Sequence, residues 1–167
     1  LILESDTVTK AEPGGASKTE HIEHTLPLDD FTNWCIGRPR DTAITNTHTL
    51  PDGVAITRYF DATWDGIKCR PTQRRIDPDN AAWRVTIDLL YDDFGNVNSE
   101  TVTGGGSPAM LPRTTLIGWG TDGHFPRSLT NALNQVTNQA WNDAVGRPSS
   151  LTDPNGIQTS WTYDSFG

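Results

Sequence analysis

Apolar and polar residues alternate along most of the chain, and alternation with a period of two is typical of β-strands that bury one face. The alternating segments are rich in Thr, Val, Ile and aromatic residues, and helical periodicity is nearly absent. The pattern predicts an all-β fold of repeated antiparallel hairpins. The predicted strands are residues 1–9, 41–50, 54–61, 67–76, 83–91, 97–103, 114–119, 135–141 and 157–163.

Turn-forming residues separate these segments. Asp52-Gly53, residues 78–80 and Asn155-Gly156 all favour tight turns. Asn-Gly and Asp-Gly are typical of type I′ hairpins, in which both central residues have positive φ. Clusters of Gly, Pro and Ser at 12–17 and 104–108 predict flexible excursions from the sheet.

One spacing recurs and indicates an internal repeat. An aromatic residue lies seven positions after a turn residue in three places: Gly53 to Phe60, Asn134 to Trp141, and Gly156 to Tyr163. The tripeptide Gly-Arg-Pro also occurs twice, at 37–39 and 146–148, and each copy is expected to open a strand that leads to the next turn. Spacings of roughly 21 to 29 residues suit two strands and two turns. The predicted unit boundaries are Gly37, Gly66, Gly95, Gly123, Gly146 and Gly167.

The motifs Tyr-Asp-Asp-Phe-Gly at 91–95 and Tyr-Asp-Ser-Phe-Gly at 163–167 resemble the core of the RHS or YD repeat. The resemblance is closest over 123–167, where the repeats are well formed and the sequence ends within one. It extends to degenerate repeats over 31–122, and residues 1–30 are divergent strands or a linker. It implies that the hairpins form part of a curved, shell-like continuous sheet that encloses a toxic C-terminal segment. The family's self-cleaving core element has no counterpart here.

We interpret the repeated residues as structural. Aromatic side chains on one strand can pack over the next strand, and the following Asp can accept backbone N–H groups in the turn that leads to Gly. The alternative is that exposed aromatic residues stack on sugar rings. The structural repeat signature comprises Phe60, Asp61, Tyr91, Asp92, Gly95, Trp141, Gly146, Asp153, Gly156, Tyr163, Asp164 and Gly167.

Composition narrows the classes of function. The 167 residues carry 21 acidic and 13 basic side chains, a net charge of -8. Binding to nucleic acid phosphates requires clustered Lys and Arg, so we expect no nucleic acid partner. The basic cluster Arg70, Arg74 and Arg75 lies close to Asp77 and Asp79 in the sequence, which indicates a locally neutralised strand end.

No pattern predicts an enzyme, a cofactor site or a metal site. The chain lacks the Gly-x-Ser-x-Gly, Walker and His-Glu-x-x-His motifs. The best metal candidate, Glu20 to His24, would place its two histidines on opposite faces of a strand. The pairs Asp29-Asp30 and Asp92-Asp93 are expected in turns and on the surface rather than around calcium.

Cys35 and Cys69 are too few for a disulfide scaffold, and we expect buried free thiols in preference to a single disulfide. No apolar stretch is long enough to cross a bilayer. The chain begins at Leu1 without a signal peptide and ends inside a repeat, which suggests a piece of a longer, exported or cell-surface protein.

Three functions follow as hypotheses. The first is a non-catalytic shell segment of a secreted or translocated RHS-repeat toxin, with neighbouring repeats and an enclosed toxin domain as partners. The second is a module that binds surface glycans. The third is a hydrolase in the divergent N-terminal third, which would need His21, His24 and a carboxylate in one pocket.

Overall fold

The computed structural model describes residues 2–11, 17–25, 29–48 and 55–164, and all regular structure in these ranges is β-strand. The predicted all-β fold of antiparallel hairpins is therefore confirmed. The strands are β1 (Ile2–Ala11), β2 (Ser17–Thr25), β3 (Asp41–His48), β4 (Ala55–Trp64), β5 (Pro71–Ile76), β6 (Val85–Tyr91), β7 (Val97–Gly104), β8 (Met110–Trp119), β9 (Pro126–Thr130), β10 (Val136–Asn142), β11 (Arg147–Thr152) and β12 (Gln158–Ser160).

The strands lie in the sheet in their sequence order. This order needs only short connections, as expected for a chain built from consecutive hairpins. In the β3–β4 ladder Asp41 pairs with Asp61, and in the β11–β12 ladder Leu151 pairs with Thr159. Because each pair is antiparallel, the start of one strand lies beside the end of the next.

The chain forms two compact units. The first comprises Leu1–Ile87 and Thr103–Met110, and its ladders join β1 to β5. The second comprises Asp88–Val102 and Leu111–Gly167, and its ladders join β8 to β12.

Few side chains are fully buried. Among the described residues, the buried ones are Cys35, Asp77, Leu89 and Gly123. Most strand residues are half-buried, as expected of a sheet whose faces are supplied with Thr, Ser, Asn and Gln. The strands are therefore held together mainly by their hydrogen-bond ladders and by contacts at their ends.

Several strand boundaries differ from the predicted ones. β5 begins at Pro71 rather than at residue 67 because residues 66–68 form a turn, in which the Cys69 N–H donates to Asp65 O at 3.0 Å. β8 begins at Met110 rather than at 114, although it contains Pro112. β2, β9 and β11 are absent from the strands that alternation predicted, although the Gly-Arg-Pro tripeptide indicated the start of β11. The five residues of β9, Pro-Arg-Ser-Leu-Thr, give little alternation.

The turn at Asn155-Gly156 is not of the predicted type I′. Gly156 has φ +83°, but Asn155 is not among the residues with positive φ. The Gly156 N–H donates to Asp153 O at 3.0 Å, and the Asp153 N–H donates to Ile157 O at 3.0 Å. This arrangement fits a type I turn followed by a left-handed glycine, which is a common longer hairpin loop. Asp52 and Gly53 lie outside the described residues.

The predicted excursion at 104–108 forms a turn that is hydrogen-bonded to the segment before β6. The Gly105 N–H donates to Arg84 O at 2.7 Å, and the Gly106 N–H donates to Ala81 O at 3.1 Å. A Cβ at Gly105 would lie 2.0 Å from Ala81 O, so only glycine fits this close approach. The other predicted excursion, 12–17, lies almost wholly outside the described residues.

The prediction of free thiols is wrong, because Cys35 and Cys69 form a disulfide with their Cα atoms 5.3 Å apart. Their separation of 34 residues gave no sign of this pairing. The β3–β4 ladder explains it: pairing Asp41 with Asp61 brings the loop before β3 beside the turn after β4.

Candidate functional site

The same contact recurs at the ends of four hairpins. An aromatic side chain within three residues of the end of the second strand donates its N–H or O–H to a backbone carbonyl within two residues of the start of the first strand. We name this contact a corner clamp. The four corner clamps are Trp64 Nε1 to Pro39 O at 3.2 Å, Trp119 Nε1 to Val97 O at 2.9 Å, Trp141 Nε1 to Pro126 O at 2.8 Å, and Tyr163 Oη to Pro148 O at 2.6 Å.

The antiparallel register produces these contacts. In the β9–β10 ladder Val136 pairs with Thr130, so continuing the register places Trp141 beside the residue before Pro126. The aromatic ring covers the strand end, and its polar tip satisfies a carbonyl there. Tyr and Trp suit this position because each combines a large apolar body with one donor.

In three of the clamps the residue directly before the accepting proline covers the aromatic ring. The Arg38 guanidinium lies 5.8 Å from the Trp64 ring centroid, and that of Arg147 lies 5.4 Å from the Tyr163 centroid. Phe125 takes this position over Trp141, with ring centroids 4.5 Å apart and planes 19° apart. The recurrent Gly-Arg-Pro tripeptide is thus one half of a corner clamp.

A residue with positive φ precedes each accepting strand. Gly37, Gly95 and Gly146 lie two residues before the acceptor and have φ of 70°, 95° and 65°. Gly123 lies three residues before Pro126 and has φ 69°. At Gly123 a Cβ would also lie 2.4 Å from a ring carbon of Phe94, so both backbone angle and space require glycine.

At the Trp64 clamp, the acidic residue after the aromatic fixes the corner turn. Asp65 follows Trp64, and its Oδ1 accepts the N–H groups of Ile67 at 2.8 Å and Lys68 at 2.9 Å. The hydrogen bonds from Lys68 and then Ile67 lower the pKa of Asp65, because they stabilise the carboxylate. Asp92 accepts the Asn96 N–H at 2.8 Å in the turn that contains Gly95.

The opposite ends of the hairpins use a related turn. Asp153 Oδ1 accepts the N–H groups of Asn155 at 2.9 Å and Ile157 at 2.8 Å. Asn131 Oδ1 accepts the Leu133 and Gln135 N–H groups in the same way, at 2.9 and 3.0 Å. In both turns the fourth residue has positive φ: 83° for Gly156 and 60° for Asn134.

The aromatic-acid pair predicted for the earlier repeat does not lie at a strand end. Phe60 and Asp61 lie in the middle of β4, and the Asp61 carboxylate is paired with Arg75 on β5. Trp64 and Asp65 occupy the strand end instead. The spacing of seven from Gly53 pointed to the wrong aromatic, whereas the Trp-Asp dipeptide and the upstream Gly-Arg-Pro could have identified the right one.

The other signature residues lie at strand ends and turns. Tyr91 ends β6, Asp92 and Gly95 form the next turn, and Asp164 directly follows Tyr163. Gly167 lies outside the described residues. Trp119 is not among the predicted signature residues, and its clamp is followed by Gly120 rather than by an acid.

The metal candidate has no metal-binding geometry. In β2 the His21 ring bonds to Thr7 Oγ1 at 2.8 Å and to Glu23 Oε1 at 3.0 Å, whereas His24 bonds to Thr42 Oγ1 at 3.0 Å. The offset of three in a strand thus separates the two histidines. Among the described residues no group of three His, Cys, Asp or Glu side chains could hold a metal ion. No helix in the described ranges is long and apolar enough to cross a membrane.

A comparison with protein families found a match at the C-terminal end. Residues 143–167 match a family model described as RHS Repeat. This segment contains the corner clamp of Tyr163 and Pro148 and the turn at Asp153. A comparison with curated proteins gave no match.

Proposed function

We propose that this chain, which carries an RHS repeat at residues 143–167, is a non-catalytic segment of a β-shell that encloses a toxic C-terminal cargo. The observation that carries the proposal is the repetition of one corner clamp at four hairpins. A contact that recurs from hairpin to hairpin stabilises an extended sheet, whereas a reaction site gathers different side chains at one place. Sheets of this kind gain stability from each neighbouring repeat. Its first partners are therefore adjacent repeats of the same chain.

A largely apolar groove in the second unit is compatible with a wall that contacts cargo. Ile117, Leu129 and Leu151 lie with Trp119 and Pro126 around a groove of about 350 Å³, and Ser128, Thr137 and Gln139 complete its lining. Exposed apolar surface of this kind is available to pack against an enclosed segment.

The Cys35–Cys69 disulfide supports an exported protein. Disulfides persist in oxidising compartments and are rare in the reducing cytosol. We therefore propose that the protein works outside the cytosol or at the cell surface.

Protease protection tests the enclosure. The full-length protein, with the region C-terminal to its repeats, is digested with a nonspecific protease, and the surviving peptides are identified by mass spectrometry. We expect the C-terminal region to survive in the wild type and to be digested when the clamps are weakened by Trp141→Ala with Tyr163→Phe. Tyr59→Phe is the matched control, because the Tyr59 side chain is exposed. Rapid digestion of the C-terminal region in the wild type would refute the proposal.

A glycan-binding module is the second candidate, and one groove favours it. Trp83 and Tyr59, which are 65% and 56% exposed, line a depression of about 300 Å³ with Asp77, Asp79 and Asn80. Exposed rings beside carboxylate and amide groups can stack on a sugar and bond to its hydroxyls. The clamp aromatics are not candidates for sugar binding of this kind, because their N–H or O–H groups already donate to backbone carbonyls.

Calorimetric titration with a panel of oligosaccharides separates the two candidates. If the groove binds glycans, the titration should give a saturable heat of binding that is lost in Trp83→Ala and kept in Trp161→Ala. Loss in Trp161→Ala alone would place the binding near β12. The absence of heat with every saccharide would reject the second candidate and leave the protease experiment to decide the first.

A further inference from the structure

One corner turn has a cysteine where the others have glycine. Cys69 directly precedes Arg70-Pro71, as Gly37 precedes Arg38-Pro39 and Gly146 precedes Arg147-Pro148. Its φ is +56°, inside the same left-handed region as the two glycines at +70° and +65°. For a residue with a Cβ this conformation is strained. Something other than backbone preference must therefore hold Cys69 there.

The disulfide adds a covalent restraint to the hydrogen bonds that Asp65 makes in this turn. Cys69 is bonded to Cys35, which is 2% exposed. Cys35 is itself fixed by an isolated β-bridge to Asp30, with backbone hydrogen bonds of 2.8 and 3.2 Å. The strained corner is thus fastened to a buried residue that the backbone already holds in place.

We propose that the Cys35–Cys69 disulfide is a redox-sensitive lock that holds the corner turn 65–70 in its strained conformation. Reduction removes the cross-link but not the strain, so the corner opens. The Cys69 N–H to Asp65 O bond at 3.0 Å and the Asp65 N–H to Arg70 O bond at 2.9 Å are the contacts that loosen. The lock goes beyond the shell function, because it makes one corner of the wall respond to thiols.

The difference in burial between the two cysteines determines which sulfur an incoming thiolate attacks first. Cys69 is half-buried, whereas Cys35 is buried, so an incoming thiolate reaches the Cys69 sulfur. The new S–S bond forms at Cys69 Sγ, the Cys35–Cys69 bond breaks, and Cys35 leaves as the thiolate with the electron pair. The second thiol of a dithiol reductant then attacks the mixed disulfide and releases Cys69 as a thiolate. The reductant ends as a disulfide, and the protein as two thiols.

Amide hydrogen exchange of the wild type and of Cys69→Gly and Cys69→Ser tests the lock, with and without a dithiol. We expect reduction to accelerate exchange at Asp65 and Cys69 in the wild type. Under reducing conditions Cys69→Gly exchanges about tenfold more slowly there than reduced wild type or Cys69→Ser, because glycine adopts positive φ without strain. The Gly146 N–H, bonded to Asn142 O at 2.9 Å, is an internal control that reduction leaves unchanged.

Two outcomes would overturn the lock. One is exchange at Asp65 and Cys69 that does not change on reduction. The other is equal exchange in Cys69→Gly and Cys69→Ser, which would mean that strain at this position plays no part.

Trapping the intermediate tests the order of attack. The oxidised protein is exposed briefly to reduced glutathione, quenched with N-ethylmaleimide and mapped by mass spectrometry. The expected first adduct carries glutathione on Cys69 and maleimide on Cys35. Glutathione found mainly on Cys35 would overturn the proposed order.

Discussion

Tyr163 Oη donates a hydrogen bond of 2.6 Å to the backbone carbonyl of Pro148, fifteen residues earlier in the chain. The Arg147 guanidinium lies over the same ring at 5.4 Å from its centroid. A single side chain thereby joins a residue beyond the end of β12 to the start of β11. The contact supplements a short ladder in which β12 contributes only the three residues Gln158–Ser160.

Removing only the Tyr163 hydroxyl should weaken this end of the sheet. Tyr163→Phe keeps the ring and the cation contact but leaves the Pro148 carbonyl without its donor, so we expect the free energy of unfolding to fall by about 1 kcal/mol. Urea denaturation measures the loss. Tyr59→Phe, on an exposed ring, should change it by much less, and equal losses in the two variants would argue against the clamp.

The stacked pair Phe125 and Trp141 should show energetic coupling. In a double-mutant cycle of Phe125→Leu and Trp141→Leu we expect an interaction free energy of roughly 0.5 to 1.5 kcal/mol, because each single change already removes the stacking. Trp161 makes no ring contact with Phe125 among the described residues. A second cycle with Trp161→Leu should therefore be additive, and similar coupling in both cycles would contradict a specific role for the stack.

Alanine substitutions at three glycines should lower the free energy of unfolding by different amounts. The loss depends on the φ of each glycine and on the space around the new Cβ. Gly146→Ala, with φ +65° and its nearest contact at 3.7 Å, should lose about 1 kcal/mol of unfolding free energy through backbone strain. Gly123→Ala should lose more, because its Cβ would also overlap the Phe94 ring. Gly66→Ala has open space and no positive φ, so it should be neutral or slightly stabilising. Thermal melts give the ranking, and a loss at Gly66 that matches that at Gly146 would reject the strain argument.

The stability of the Trp64 corner should depend on the charge of Asp65. Hydrogen bonds from the Lys68 and Ile67 N–H groups lower the pKa of Asp65 in the folded state. The stabilisation is therefore full above the unfolded pKa of about 3.9 and is lost as the pH falls through the lower folded value. In Asp65→Asn the amide oxygen can still accept the Ile67 and Lys68 N–H groups, but it does not titrate, so the acid-dependent part of the stability should vanish. NMR titration of the Lys68 N–H measures it, and an unchanged acid transition in the variant would contradict the assignment.

The sequence predicted the repeated elements well where they follow local rules. Alternation gave most strands, and the residues Gly146, Asp153, Gly156 and Tyr163 lie at the corners and turns of the hairpin that matches the repeat family. It failed at Phe60, because a fixed spacing cannot allow for a longer strand. β4 runs four residues further, to Trp64, before its corner begins.

The sequence by itself determined an all-β chain of consecutive hairpins, because strand alternation and turn chemistry are local properties. It also marked the glycines whose backbone must turn. Only the tertiary structure decided which aromatic reaches which carbonyl, and that Cys35 bonds to Cys69, since both depend on the register between strands. Register is set by the whole ladder rather than by any short stretch of sequence. A shift of one residue would move every side chain of a strand to the opposite face of the sheet.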